Sequence, residues 1–199
     1  MSLTFDGSTN TISGLLINSA NITDGSIVNA DINANAAIAS TKLSGVTAGI
    51  EMADIWYLSS SFNGSANPIT SNLVRYTANN SGSIGTNMTE SSGIFTFPST
   101  GIYRISLWTQ GYRSGTSVRY AKVMIETTTN NSSYSTIPSG YMSYNSNNVS
   151  GGWYQSMSAE HFVDISDTSN CKVRFQCEQS SSSATMENLF IYFLRMGDT

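Results

Sequence analysis

The stretch NLFIYFLRM, residues 188–196, restricts the possible folds most strongly, because it is apolar on both faces that a β-strand would present. Successive side chains of a strand point to opposite sides of its sheet. The alternation places Leu189, Ile191 and Phe193 on one side and Phe190, Tyr192 and Leu194 on the other. One side can fill a core, but the second side also needs a cover. Since few residues follow this strand, we predict that a neighbouring subunit covers Phe190, Tyr192 and Leu194, rather than more of the same chain.

Patterns of alternating apolar residues begin near residue 52 and predict further strands. Residues 93–111 (GIFTFPSTGIYRISLWTQG) contain two strands joined by a Pro-Ser-Thr-Gly turn. The other predicted strands lie at residues 55–60, 72–77, 118–127, 154–165 and 171–178. This number of strands, with scarcely any helix, indicates an all-β chain whose C-terminal domain is a β-sandwich or jelly roll.

The two cysteines, Cys171 and Cys177, fall in one predicted strand. Six residues of strand span about 20 Å, whereas the Cα atoms of a disulfide are at most about 7 Å apart. Both cysteines share the side of Val173, while Lys172 and Arg174 point to the other side. We therefore predict two free, buried thiols, which agrees with folding in the cytoplasm.

The first part of the chain has a different period. Isoleucines recur every five residues, at Ile12, Ile17, Ile22, Ile27 and Ile32. This spacing matches neither the period of a helix nor that of a strand. The segment ANITD-GSIVN-ADINA resembles the pentapeptide-repeat pattern, whose family forms square β-helices with one side per pentapeptide. Only about one coil is present, and a single coil cannot bury its own central residues.

The repeat therefore needs partners in order to be structured. Three copies can wrap around one another, or one copy can lie on another protein; an extended linker with coincidental spacing is the remaining alternative. We predict that residues 1–45 form an anchor or shaft and that residues 46–199 form a globular knob. The predicted assembly contacts of the first segment are Ile17, Ile22, Ile27 and Ile32.

The composition argues against several kinds of partner. Only 11% of the residues are charged, the net charge is −4, and no run of Lys or Arg exists, so we expect no nucleic-acid partner. No apolar run approaches the roughly 18 residues of a membrane helix, so we expect no membrane insertion. The first residues, MSLTFDGSTN, lack the basic and apolar regions of a secretory signal.

Candidate residues for catalysis are few. His161 is the single histidine, and no GxSxG stretch accompanies the many serines. No pair of acids has a convincing spacing for glycoside hydrolysis. A lone histidine without paired ligands is also a poor zinc site. We therefore predict no catalytic residue, no metal site, no cofactor and no enzymatic activity.

One loop, residues 132–154, is rich in aromatic residues. It carries Tyr134, Tyr141, Tyr144, Trp153 and Tyr154 among many Ser, Gly and Asn residues. This composition makes adaptable binding surfaces, and aromatic faces beside Asn donors suit sugars. We predict a receptor-binding loop; the alternative is a loop that packs on its own domain.

The content and order of the strands resemble the C1q/TNF-like jelly roll over residues 52–196. The best-matching residues are Phe95, Phe97, Pro98, Gly101 and Tyr103, together with the aromatic last strand. The chain departs from the family at 163–167, where Gly-Asp is usual, and at Ile191-Tyr192, where Gly is common. The resemblance implies a homotrimer whose strand faces meet around a three-fold axis, with Phe190, Tyr192 and Leu194 in the trimer interface. Some relatives bind calcium, which makes Asp164 and Asp167 candidate ligands, although solvated loop acids are the simpler interpretation.

The segment ITDGSIVNADINANAAIASTKL resembles the N-terminal segments of bacteriophage tail fibres and related virion proteins. A thin repetitive segment followed by a trimeric knob is a common plan of such fibres. The resemblance implies a structural virion protein, made in the bacterial cytoplasm, that serves as a short fibre, knob or capsid decoration. It would contact other virion proteins through residues 1–45 and present the knob for host-surface binding, with a host-surface glycan as one candidate receptor. The alternative is a secreted bacterial C1q-like glycan-binding module.

Overall fold

The computed structural model of this chain describes residues 49–114, 118–137, 141–144 and 152–199. Near the N-terminus it also describes residues 4–6, 8, 11–13, 22–23, 25–33, 36, 38 and 42. The chain divides into two compact units, Met1–Val46 and Thr47–Thr199. Each unit has its own local structure.

The N-terminal unit contains a small hairpin and a series of tight turns. Strands β1 (Thr4–Asp6) and β2 (Thr11–Ser13) pair antiparallel. Asn29–Asp31 form one turn of 3₁₀ helix. The Asp31 carboxylate accepts the N–H of Val28 at 2.9 Å, and the Asp31 N–H donates to the Val28 carbonyl at 2.9 Å. Aspartate favours such a turn because its side chain hydrogen-bonds to the nearby backbone.

The C-terminal unit is built almost entirely from β-strands. They are β3 (Ala53–Leu58), β4 (Phe62–Asn63), β5 (Leu73–Arg75), β6 (Thr89–Ser91), β7 (Ile94–Thr96), β8 (Gly101–Ser114), β9 (Tyr120–Thr128), β10 (Ser135–Ile137), β11 (Met142–Ser143), β12 (Gly152–Ile165), β13 (Lys172–Gln179) and β14 (Ala184–Gly197). Every strand predicted from the sequence is present. The short strands β4, β6, β10 and β11 were not predicted, because two or three residues carry too little alternation to be recognised.

The strands form two antiparallel sheets. In the first, called the front sheet, the order is β12-β8-β14-β3-β5, and β4 also pairs with β14. In the second, called the back sheet, the order is β10-β9-β13-β7-β6, and β11 also pairs with β9. From β5 onward the chain crosses repeatedly between the sheets, so that many strands adjacent in a sheet, such as β8 and β14, are distant in sequence. This is a jelly-roll β-sandwich, and the predicted fold class is confirmed.

The core lies between the sheets and is aromatic at its centre. Phe95 of β7 contacts Trp56 at a ring-centroid distance of 5.1 Å, Phe193 at 5.2 Å and Phe175 at 5.6 Å. These contacts join strands of both sheets. The contacts with Trp56 and Phe175 are edge-to-face, which stabilises a pair by about 0.5–1.5 kcal/mol beyond the buried area. Leu189 and Ile191 point into the same core and are fully buried, as the alternation of the last strand predicts.

The cysteines also follow their prediction. Cys171 and Cys177 are free and buried. Cys177 lies on β13 opposite Val123 of β9, with its side chain in the core. Burial raises the pKa of the Cys177 thiol to about 11, so that it stays protonated at neutral pH.

A buried carboxylate at one end of the front sheet organises the chain around β3. Asp54 is buried and accepts hydrogen bonds from Trp56 Nε1 at 2.9 Å, Arg75 Nε at 2.9 Å and the N–H of Met88 at 3.1 Å. Arg75 Nη2 also donates to the Met88 carbonyl at 2.6 Å. One side chain thus connects β3, β5 and the segment that leads to β6. A buried charge is tolerated here because it is paired and fully hydrogen-bonded.

Candidate interaction surfaces

The outer face of the front sheet, called the front face, exposes a concentration of large apolar side chains. Five of the nine exposed large hydrophobic residues described in the C-terminal unit lie on it. They are Val74, Trp108, Tyr154, Phe162 and Tyr192, with 38–55% of their surface exposed. An exposed apolar patch of this kind is a candidate interaction site.

The three predicted interface residues lie side by side in the middle of the front face. Phe190 is surrounded by aromatic rings, with centroid distances of 5.4 Å to Tyr76, 6.0 Å to Tyr57 and 6.1 Å to Trp108. These contacts leave Phe190 half-buried and fix its orientation. The sequence thus identified the outward side of β14 correctly, and the neighbouring strands add Tyr57, Tyr76 and Trp108 to the same surface.

Tyr192 and Leu194 border a shallow depression. Tyr192 lies between Ser106 of β8 and Ile55 of β3, and Leu194 lies between Arg104 and Ala53. The depression has a volume of about 280 Å³, and these residues contribute to its lining. An ion pair between Arg104 and Glu160 of β12 borders the same apolar region. The front face therefore combines an apolar centre with charged groups toward its β12 side.

The outer face of the back sheet, called the back face, is chemically different. Ion pairs cover it, with Arg174 Nε 2.7 Å from Glu126 Oε2 and Lys122 Nζ 2.7 Å from Glu178 Oε2. The ring of Tyr134 covers the Arg174 guanidinium at 3.9 Å. Ion pairing with Arg174 compensates the burial of Glu126, which is 4% exposed, whereas Glu178 is more exposed.

The five aromatic residues of the predicted receptor-binding loop do not form one surface. Tyr144 is buried, which raises the pKa of its hydroxyl to about 12. Trp153 packs against the core. Tyr134 lies half-buried over Arg174, and burial raises its pKa. Only Tyr141 and Tyr154 are exposed. Tyr141 lies beside the back sheet, whereas the Tyr154 ring packs at a tilt against Tyr112 of the front sheet, with 4.9 Å between the ring centroids.

Exposed Tyr141 belongs to a polar cluster on the back face. Its ring meets Tyr120 edge-on at 5.8 Å, and Lys122 Nζ lies 5.2 Å from the ring centroid. The Tyr120 hydroxyl donates to Glu178 Oε1 at 2.8 Å. The hydrogen bonds from Lys122 and Tyr120 lower the pKa of Glu178, and the hydrogen bond to Glu178 raises the pKa values of Lys122 and Tyr120. Carboxylate and ammonium therefore both stay charged around neutral pH.

Sequence reasoning missed Tyr120, Lys122 and Glu178. The signal was present, because Tyr120 and Lys122 alternate on β9 with buried Ala121 and Val123. The register that places Glu178 opposite Lys122 comes only from the folded sheet.

The residues considered as metal ligands or catalytic groups do not come together in one site. Within the described part of the chain, no three His, Cys, Asp or Glu side chains come together as metal ligands. The Asp167 carboxylate accepts the N–H of Ser169 at 2.7 Å and Asn170 Nδ2 at 2.6 Å, which lowers its pKa. His161 lines a cleft with Lys172 between β12 of the front sheet and the adjacent ends of β9 and β13. No described helix has the length and apolar content needed to cross a membrane.

Several isoleucines of the N-terminal unit are exposed. Ile22, Ile27 and Ile32 have 40–56% of their surface exposed, and Val28 beside them is similar. Ile17 lies outside the described residues. Three of the four predicted assembly residues thus present exposed apolar side chains.

Comparisons with known proteins give low similarity throughout. No protein-family model matches the chain, and no curated protein matches it. Among solved structures, the Eiger TNF from S. frugiperda is similar with a TM-score of 0.49 and 13% identity, covering 75% of this chain and 95% of that one. Murine APRIL, in its crystal structure at pH 5.0, is similar with a TM-score of 0.49 and 11% identity, covering 72% of this chain and 99% of that one. The PRD1 vertex protein P5 is similar with a TM-score of 0.45 and 16% identity, covering 75% of this chain and 100% of that one. With TM-scores below 0.5 these similarities are descriptive only, and the assignment of the jelly roll rests on the strand order.

Proposed function

We propose that this protein is a structural component of a bacteriophage particle, with an N-terminal segment that attaches to the particle and a trimeric jelly-roll knob that contacts the host surface. The observation that carries the proposal is the front face, where exposed Trp108 and Tyr192 flank the half-buried Phe190 in one apolar surface. No catalytic function is part of the proposal.

The composition of the front face favours a permanent contact between copies of the chain. The cores of homo-oligomer interfaces are apolar and rich in Tyr, Trp, Phe and Arg. The front face has this composition, with Arg104 beside the aromatic group. A trimer, rather than a dimer, is proposed because of the resemblance of the strands to the C1q/TNF-like jelly roll. A closed three-fold arrangement buries the patch on every copy and leaves no unpaired surface to extend into a filament.

The attachment part of the proposal is supported by the N-terminal unit. Exposed Ile22, Ile27 and Ile32 recur at a constant spacing, and repeat units of this kind bury their apolar residues only against neighbours. Contacts with other chains of a particle, or with the two other copies in a shaft, supply those neighbours.

The two parts can be tested separately. The full chain and residues 46–199 are purified and their masses in solution are measured by light scattering after gel filtration. Both should be trimers. In a phage assembly assay, the full chain should enter particles and the truncated chain should not. A full-length variant in which Ile22, Ile27 and Ile32 are all serine should behave like the truncated chain.

Each result has a clear consequence. A monomeric knob contradicts the trimer. A truncated chain that still enters particles contradicts attachment through residues 1–45. A trimer that binds glycans and never associates with particles favours the alternative, a secreted glycan-binding module.

A further inference from the structure

We infer that Tyr141, Lys122 and Glu178 form a carbohydrate-binding site on the back face. The inference rests on the proposed function and deepens it, because it assigns host recognition to one site and one ligand class, a surface saccharide. The proposed site is therefore not the whole aromatic loop but a cluster of three residues, Lys122 on β9, Glu178 on β13 and Tyr141 just before β11.

Tyr141 is exposed but held in place. With 61% of its surface exposed, it is the most exposed large apolar side chain among the described residues. Strand β11 pairs with β9 so that Met142 lies opposite Ala121, which places Tyr141 next to Lys122. The edge-on contact with Tyr120 orients the ring. A ring that is already oriented loses little conformational freedom when a ligand stacks on it.

The charged pair beside the ring retains hydrogen-bonding capacity. Glu178 uses one oxygen for the Tyr120 hydroxyl and the other for Lys122. A carboxylate offers about four acceptor positions and an ammonium group three donors. Lys122 uses one donor for Glu178 and one for the Tyr141 hydroxyl, so each charged group keeps at least one position for a further partner. Their contact with each other fixes their positions, and hydrogen bonds to charged groups are the stronger ones.

A saccharide fits this arrangement. A pyranose ring has an apolar C–H face and a rim of hydroxyl groups that donate and accept hydrogen bonds. Its C–H face can stack on Tyr141, while neighbouring hydroxyl groups donate to Glu178 and accept from Lys122. A protein partner would need a larger apolar area than one ring. A nucleic acid would need a basic stripe rather than a paired acid and base.

The position of the site also suits recognition. It lies on the back face, opposite the surface proposed to be covered in the trimer. The trimer therefore presents three copies of the site, and linked sites bind a repetitive surface polymer much more tightly than one site does.

The test uses the full chain and an array of bacterial surface polysaccharides with their component oligosaccharides. The strongest oligosaccharide is then titrated by calorimetry. The wild-type protein should bind, Tyr141→Ala should bind at least about tenfold more weakly, and Tyr141→Phe should stay within about threefold, because stacking is kept. Glu178→Gln should also lose about tenfold, since a neutral amide accepts more weakly than a carboxylate. Thr96→Ala, at the opposite end of the back sheet, is the matched control and should bind normally.

Two results overturn the site. One is a wild-type protein that binds no saccharide on the array, and the other is a Tyr141→Ala variant that binds as tightly as wild type. Normal melting temperatures of the variants exclude unfolding as the cause of lost binding, and Tyr141→Phe retains the packing if Tyr141→Ala does not fold. Trimer mass and incorporation into particles are measured on the same proteins. If trimer mass and incorporation are normal while saccharide binding fails, the site is wrong and the proposed function stands. If the protein neither forms a trimer nor enters particles, the proposed function is wrong.

Discussion

Two adjacent residues of β14 separate folding from assembly. Ile191 points into the core and is fully buried, whereas Tyr192 points outward with 40% of its surface exposed. We predict that Ile191→Ala destabilises the fold and leaves the trimer contact unchanged. Tyr192→Glu should do the opposite, dissociating the trimer while the domain remains folded.

The sizes of both effects follow from the structure. Truncation of a fully buried Ile to Ala costs about 2–5 kcal/mol. For Tyr192, 40% exposure of a side chain of about 200 Å² leaves about 80 Å² for a partner to bury. At about 25 cal/mol per Å², this area contributes about 2 kcal/mol per subunit. Three symmetric contacts amount to about 6 kcal/mol, or about 10⁴-fold in the association constant. The carboxylate of Tyr192→Glu adds a desolvation cost to this loss.

Sedimentation velocity and thermal unfolding distinguish the two effects. Over about 1–50 µM, the melting temperature of a trimer rises with concentration, because assembly stabilises the folded state by mass action. Wild type and Ile191→Ala should sediment as trimers and show this dependence, with a lower melting temperature for the variant. Tyr192→Glu should sediment as a folded monomer whose melting temperature is independent of concentration. A trimeric Tyr192→Glu protein with wild-type concentration dependence would refute the assignment of the front face as the subunit interface.

Three further predictions concern stability. Asp54→Ala leaves Arg75, Trp56 Nε1 and the Met88 N–H without their acceptor, so urea denaturation should show a loss of about 3–5 kcal/mol, against little change for the exposed Asp164→Asn. Gly93 has a φ of +83°, and an added Cβ would lie 2.2 Å from the Ile69 carbonyl oxygen. Gly93→Ala should therefore lower the melting temperature clearly, whereas Gly82→Ala, with open space around it, should not. Burial raises the pKa of Cys177 from 9.0 to about 11, so the folded thiol keeps its proton where the unfolded one loses it. The free energy of unfolding should then fall by up to about 3 kcal/mol between about pH 9 and pH 11, less steeply in Cys177→Ala.

The fold was predictable because its strands carry strong alternation. On β14 and the first half of β8 nearly every second residue is a large apolar side chain, and on β13 the positions between the apolar ones are all polar. Such patterns determine which side of each strand faces the core, and the structure confirms both sides of β14 and the two buried thiols. Strand order is less accessible from a single sequence. It was available here only through the resemblance to a known jelly roll.

The interaction surfaces were predictable only in part, for a physical reason. The outward residues of β14 lie in one strand, so sequence alternation alone identifies them. The aromatic cluster around Phe190 and the cluster around Tyr141 each combine residues from several strands, through cross-strand registers that no local pattern encodes. The loop prediction failed to separate Tyr144 from Tyr141 because the loop contains the short strand β11. Along this strand and the residues on either side of it, side chains point alternately toward solvent and toward the core.

The ion pairs on the two outer faces of the sandwich have different roles in the proposed assembly. On the back face, the side chains of Lys122 and Glu178 are 15% and 37% exposed, and the proposed trimer leaves them uncovered, so assembly adds no desolvation cost to their pairing. On the front face, Arg104 and Glu160 lie beside apolar side chains and would be desolvated when another subunit covers them. A desolvated pair contributes little net affinity, but a misaligned subunit that separates its partners leaves a buried charge and is strongly disfavoured. In the proposed trimer the apolar residues of the front face therefore supply the affinity between subunits, and the Arg104–Glu160 pair supplies their alignment.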